Sequence, residues 1–134
     1  MSAAPNRKVI LCVDDETRGL YVRKMLLESL GYRVLTAENG PDAIQIFSAE
    51  VIDLVVLDYA MPGMHGGVVA EKMKAAKPKV PILLLSAYVD LPGETLALVD
   101  RYVTKGEAPP VLLEAISRLL GEGRGSQSRA RSAE

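Results

Sequence analysis

The chain has 134 residues, enough for one domain of ordinary size and too few for two large ones. A hydrophobic share of 49% supplies a core, while 16 basic residues against 17 acidic ones leave a formal net charge of −1, so no overall charge draws the chain to nucleic acid or to an anionic membrane. Trp is absent and Phe occurs once, which leaves no aromatic platform for stacking bases. Cys12 has no partner for an intrachain disulfide, and the apolar runs reach only about five residues, far below the ~20 that span a bilayer.

The opening MSAAPNRK carries no apolar stretch after its basic residues and does not read as a secretory signal, so a reducing, cytoplasmic setting is expected. Residues 1–6 are expected to form an N-terminal extension. From there, short apolar runs alternate with helical periodicity. The first run, Val9–Val13, ends in Asp14-Asp15. Val22, Met25, Leu26 and Leu30 follow at helical spacing, with Gly31 as the stop. A second run covers residues 34–35. Pro41 then opens a helix whose apolar face is Ala43, Ile44 and Phe47. The third run, residues 54–57, runs straight into Asp58, and the turn Pro62-Gly63 comes soon after. A helix is predicted from about residue 67 to 77, ending before Pro78.

The fourth run, residues 82–85, ends in Ser86. A short, weakly patterned helix is expected around residues 94–99. A fifth run at residues 102–103 leads to Lys105, and Pro109-Pro110 opens a last helix with Leu112, Leu113, Ile116, Leu119 and Leu120 as its stripe. Residues 122–134 have no apolar residue beyond alanine and read as a disordered tail.

Five runs rich in Val, Ile and Leu, mostly without polar alternation, are the pattern of strands buried on both faces. With helices between them they predict an α/β fold, a flavodoxin-like, doubly wound parallel sheet of five strands and five helices with order 2-1-3-4-5. Such sheets place their sites at the carboxyl ends of the strands. Those ends supply Asp14, Asp15, Asp58, Ser86 and Lys105. Strands one and three are neighbours in that order, so three carboxylates converge. They would repel one another unless a cation sits among them. Hard oxygen donors without supporting His or Cys suit Mg²⁺ (or Mn²⁺). With Lys105 as a second positive charge and Ser86 as a hydroxyl donor, the set is equipped to stabilise charge on a transferring phosphoryl group.

Asp14-Asp15, the D-x-x-M-P-G-M sequence from Asp58 to Met64, Ser86-Ala87 and Tyr102-x-x-Lys105 together resemble the receiver domain of two-component response regulators, the CheY-like family, over residues 7–121. The resemblance implies that Asp58 is the phosphoacceptor, modified by a sensor histidine kinase or a histidine phosphotransfer protein. It implies Mg²⁺ ligation by Asp15, Asp58 and the Ala60 carbonyl, with Asp14 acting through water. Ser86 and Lys105 would hold the phosphoryl group, and Tyr102 would move inward as Ser86 shifts. The face made by the fourth helix, fifth strand and fifth helix would then meet a downstream effector protein or domain. By the same analogy Tyr59, Ala60, Ala87 and Tyr88 border the site and tune self-hydrolysis. A monomer, or a dimer formed on phosphorylation, is expected.

The pattern departs from the family at three places. Gly106 follows Lys105 where the family carries proline after a cis bond. A cis bond without proline costs about 3–4 kcal/mol, so the bond is either trans with a changed loop or strained at Gly106. Pro92-Gly93 falls where the fourth helix should begin, which shortens it. Ser86 replaces the commoner threonine and lacks the methyl that limits χ1.

Plainer readings exist for each group. Asp14, Asp15 and Glu16 suit the start of a helix as caps; Tyr102 suits strand packing; His65 suits an exposed loop. Three other functions are also set against the pattern. The first is a receiver-shaped interaction module that is never phosphorylated. The second is a phosphohydrolase resembling the haloacid dehalogenases, which would need a second acid where Ala60 stands. The third is a flavin binder, which would need a phosphate-cradling loop where Asp14, Asp15 and Glu16 stand.

Overall fold

The computed structural model describes residues 7–87 and 90–122. The five apolar runs form the strands β1 (Val9–Val13), β2 (Arg33–Ala37), β3 (Leu54–Asp58), β4 (Ile82–Ser86) and β5 (Arg101–Thr104). They pair in parallel as one sheet of order β2-β1-β3-β4-β5. Every residue of β1, β3 and β4 is buried, as continuous apolar runs require.

Helices cover both faces. α1 (Thr17–Ser29) and α5 (Pro109–Leu119) pack through Leu20, Leu27, Ala115 and Ile116 on Ile10, Cys12, Leu54 and Val56. α2 (Gly40–Ala49) and α3 (Gly66–Ala76) pack through Ala43, Phe47, Val69 and Met73 on Leu11, Val13, Val55 and Leu57, and α4 (Gly93–Leu98) joins this layer through Leu98. Successive strand residues therefore serve opposite cores, the period-2 rule applied to a sheet buried on both sides.

Two features of the helices differ from the sequence expectation. In α1 the buried residues are Leu20 and Leu27, whereas Val22, Met25 and Leu30 are each more than half exposed. The helix is apolar on more than one side, so spacing alone does not choose the face that packs. In α5 only Ile116 of the expected stripe is fully buried, beside Ala115; Leu112, Leu113, Leu119 and Leu120 are half-buried at the margin of the same core. The fourth helix is short, with 6 residues and Pro92 as its N-cap.

The opposite, amino-terminal edge of the sheet is closed by acids of a different kind. Asp53 Oδ2 accepts the Val9 N–H at 2.8 Å, and Asp100 Oδ2 accepts the Ile82 N–H at 2.8 Å while pairing with Lys74 at 2.7 Å. These carboxylates tie down the starts of β1 and β4. Lys77 Nζ donates to the Phe47 and Glu50 carbonyls at 2.7 and 3.2 Å, where a cation suits the carboxyl end of α2. Glu122, the first residue of the expected tail, accepts the Tyr32 hydroxyl at 2.7 Å; the rest of that tail and the N-terminal extension lie outside the described residues. No helix among the described residues is long and apolar enough to cross a membrane.

Candidate functional site

The strand register carries the acids to one rim. Val13 lies opposite Leu57, so Asp14 and Asp58 are the next residues of two neighbouring strands. Asp58 lies opposite Leu85, and Ser86 opposite Thr104, which brings Ser86 and Lys105 to the same edge. One carboxylate oxygen from each of Asp14, Asp15 and Asp58 falls within 4.8 Å of the other two. Asp14 and Asp58 are buried and Asp15 is exposed, so the cluster has a closed floor and an open mouth.

Lys105 Nζ enters this cluster 2.9 Å from Asp58 Oδ1 and 3.1 Å from Asp14 Oδ2. Its backbone N–H donates to the Ser86 carbonyl at 2.8 Å, fixing the β5 tip against β4. Burial of Asp58 raises its pKa above the ordinary carboxylate value; the Lys105 bond opposes this, and the charges of Asp14 and Asp15 reinforce it. Burial lowers the ammonium preference of Lys105, but its bonds to Asp58 and Asp14 outweigh that and raise its pKa overall.

The peptide bonds of the described residues are all trans, so the Lys105–Gly106 bond is trans. The changed loop closes as a turn in which Glu107 N–H donates to the Thr104 carbonyl at 3.2 Å and the Thr104 hydroxyl to Glu107 Oε2 at 3.2 Å. Lys105 reaches both acids without the cis bond. Ser86 is buried at the end of β4, and Tyr102 is half-buried against the α2–α3 core. Ala60 and Ala87 are exposed beside the mouth, and Tyr59 is half-buried with its ring 5.3 Å from the His65 ring. Tyr88 lies outside the described residues.

Several contributors are not evident from sequence. Asp14 Oδ1 accepts the Glu16 N–H at 2.9 Å, a local turn that anchors the acid rather than capping α1. Arg23 Nη1 lies 3.4 Å from Asp14 Oδ2. His65 is exposed as expected but also caps α3, its Nδ1 accepting the Gly67 N–H at 3.1 Å. Gly66 lets α3 start against the end of β3: a Cβ there would stand 2.6 Å from the Asp58 carbonyl oxygen and 2.7 Å from Tyr59 Cα. Arg23 had one signal in the text, its place between two leucines at helical spacing. Cys12 is also near, but burial pushes its thiol up to about 12 and removes it from nucleophilic chemistry.

A buried floor of oxygen donors, an open mouth and, among the described residues, no nitrogen or sulfur ligand in the cluster fit a hard divalent ion that keeps some of its water. Mg²⁺ is such an ion. Lys105 is already shared between two of these acids.

Residues 10–117 match the family model described as the response regulator receiver domain. The chain belongs to that family. Curated proteins of more than one kind are similar to it over part of their length. It is 36% identical over 118 residues to the probable transcriptional regulator ycf27 of Cyanophora paradoxa, covering 86% of this chain and 49% of the relative. It is 30% identical over 124 residues to the autoinducer 1 sensor kinase/phosphatase LuxN of Vibrio harveyi, covering 88% of this chain and 14% of the relative. The chain thus spans half or less of the length of these proteins. Among solved structures, the response regulator TrrA of Thermotoga maritima in complex with Mg²⁺-BeF is 38% identical, with a TM-score of 0.78 over 84% of this chain and 98% of TrrA. TrrA has also been solved in complex with the histidine kinase ThkA. The receiver fold expected from the strand pattern, with its order 2-1-3-4-5, is the fold observed.

Proposed function

We propose that this receiver is a phosphorylation switch in which Asp58 accepts a phosphoryl group from the phosphohistidine of a sensor histidine kinase or a histidine phosphotransfer protein. One observation carries the reading: Asp14, Asp15, Asp58 and Lys105, from three separate strand ends, meet around one acceptor carboxylate. The TrrA structures, one with Mg²⁺-BeF and one with a kinase, support it by similarity.

Asp15, Asp58 and the Ala60 carbonyl would hold Mg²⁺, with Asp14 joined through water. The ion would offset the charge that gathers on the phosphoryl oxygens. A carboxylate oxygen of Asp58 attacks phosphorus as the bond to the histidine nitrogen breaks, and the imidazole leaves with its electron pair. β3, buried along its length, holds the acceptor still, which matters because in-line attack depends on positioning. Lys105 transfers its pairing from Asp58 to a phosphoryl oxygen, and the Ser86 hydroxyl donates to another. Tyr102, on β5, then follows Ser86 and alters the α4–β5–α5 surface presented to an effector.

The exposed Tyr21, Val22 and Met25 lie on α1, the helix that leaves the acidic rim, and give the phosphodonor protein an apolar surface beside the acceptor. The chain's own chemistry is confined to gaining and slowly losing the phosphoryl group.

The test is incubation with acetyl phosphate and Mg²⁺, read by intact mass. A switch gains a single base-labile phosphoryl group, and Asp58→Asn gains none. An inert interaction module shows no adduct, and a phosphohydrolase turns over many small phosphate esters; either result would reject the proposal.

A further inference from the structure

Arg23 occupies a position where a solvated cation is not expected. It follows Leu20 by three residues and precedes Leu27 by four, and those two leucines are the residues α1 buries. Its side chain is only 14% exposed. The guanidinium meets Asp14 Oδ2 at 3.4 Å, the same oxygen that Lys105 reaches at 3.1 Å. The other oxygen, Oδ1, is held by the Glu16 N–H at 2.9 Å. One buried carboxylate thus holds two cations, although one neutralises it.

The second cation has a use if the first must leave. Lys105 also pairs with Asp58 Oδ1 at 2.9 Å. Negative charge added at Asp58 draws the amine toward it and loosens its hold on Asp14. A buried carboxylate that loses a directly bonded cation is better placed if another stays beside it. Arg23, fixed on α1 and not in contact with Asp58, keeps Asp14 paired and in place. Its charge also acts on whatever the acids bind. Three carboxylates against Lys105 alone give a net −2, and Arg23 brings this to −1.

We infer that Arg23 is a positioning residue: it retains Asp14 while Lys105 is drawn to Asp58, and it weakens divalent-ion binding at the cluster. The inference rests on the ion site proposed above. Its effect on ion affinity does not require Asp58 to be phosphorylated.

Mg²⁺ titration by calorimetry, without phosphodonor, tests it on wild type, Arg23→Met and Arg23→Lys, each checked for folding by circular dichroism. Arg23→Met should bind Mg²⁺ about tenfold more tightly, the effect of one charge acting on a divalent ion a few ångströms away at a water-like dielectric. Arg23→Lys, which keeps the charge, should stay within about threefold of wild type. If Arg23→Met does not fold, Arg23→Gln, a neutral donor, replaces it with the same expected tightening. Unchanged or weaker binding in the folded neutral variant, with wild type binding Mg²⁺, overturns the role of Arg23 and leaves the site standing. Failure of wild type to bind Mg²⁺ overturns the ion site and the inference together.

Discussion

Lys105 stands 2.9 Å from Asp58 although their strands, β5 and β3, are not neighbours; β4 lies between them. The long lysine stem crosses above the β4 tip, where Ser86 sits. An anion at Asp58 therefore meets a cation carried across from a strand that is not its neighbour. In the proposed switch, this arrangement would let a small strand-end cluster bind a phosphoryl group and pass its presence to β5.

Replacing the amine should expose how much the pair stabilises the free protein. Lys105→Met should lower stability by about 1 kcal/mol, toward the small end for a buried pair because the amine is partly exposed and Arg23 still pairs Asp14. The folded pKa of Lys105 is raised, so its contribution is complete below the ordinary lysine pKa of 10.5 and fades as pH rises beyond it. Denaturant unfolding at neutral and strongly alkaline pH should show the gap between wild type and variant closing at the alkaline end.

Asp58 has the opposite effect. Its folded pKa is raised, chiefly by burial, so the charged form costs stability once the pH exceeds its unfolded value. Asp58→Asn should melt a few degrees above wild type at pH 7 in the absence of divalent ions. The difference should shrink on acidification as wild type takes up the proton. Melting curves between pH 7 and pH 4 check this; a difference that widens on acidification contradicts it.

Mg²⁺ should stabilise the folded chain by mass action, by about 2.7 kcal/mol at a hundredfold excess over its Kd. Asp15→Asn should lose most of that gain because Asp15 is the exposed acid of the cluster and supports no buried pair. Melting temperature against Mg²⁺ concentration, with removal by EDTA as the reverse step, measures both.

Gly66 is expected to be intolerant of even one carbon. The added Cβ would meet backbone atoms of Asp58 and Tyr59, which cannot rotate away. Gly66→Ala should cost about 1–3 kcal/mol and slow phosphoryl uptake by displacing the acceptor. Gly67→Ala meets chiefly the Thr95 and His65 side chains and should cost less. Chemical denaturation of the two variants compares them directly.

The sheet and its acidic rim were readable because both follow from short-range chemistry. Runs such as residues 82–85 are apolar without alternation, and each ends abruptly in a polar group. What spacing could not assign was orientation. α1 has Val22 and Met25 on one side and Leu20 and Leu27 on another, and only packing against Ile10 and Val56 selects between them. That choice also turns Arg23 inward. The peptide geometry at Lys105 is not legible in the sequence for a similar reason. Either geometry satisfied the text, and the turn through Glu107 decides it.

The acceptor itself can be located chemically. After exposure to acetyl phosphate and Mg²⁺, borohydride reduces an aspartyl phosphate to homoserine, and peptide mass mapping then finds the altered residue. The expected result is homoserine at position 58 alone, abolished by EDTA during labelling. Reduction at Asp14 or Asp15, at scattered surface acids, or at no position would contradict the account.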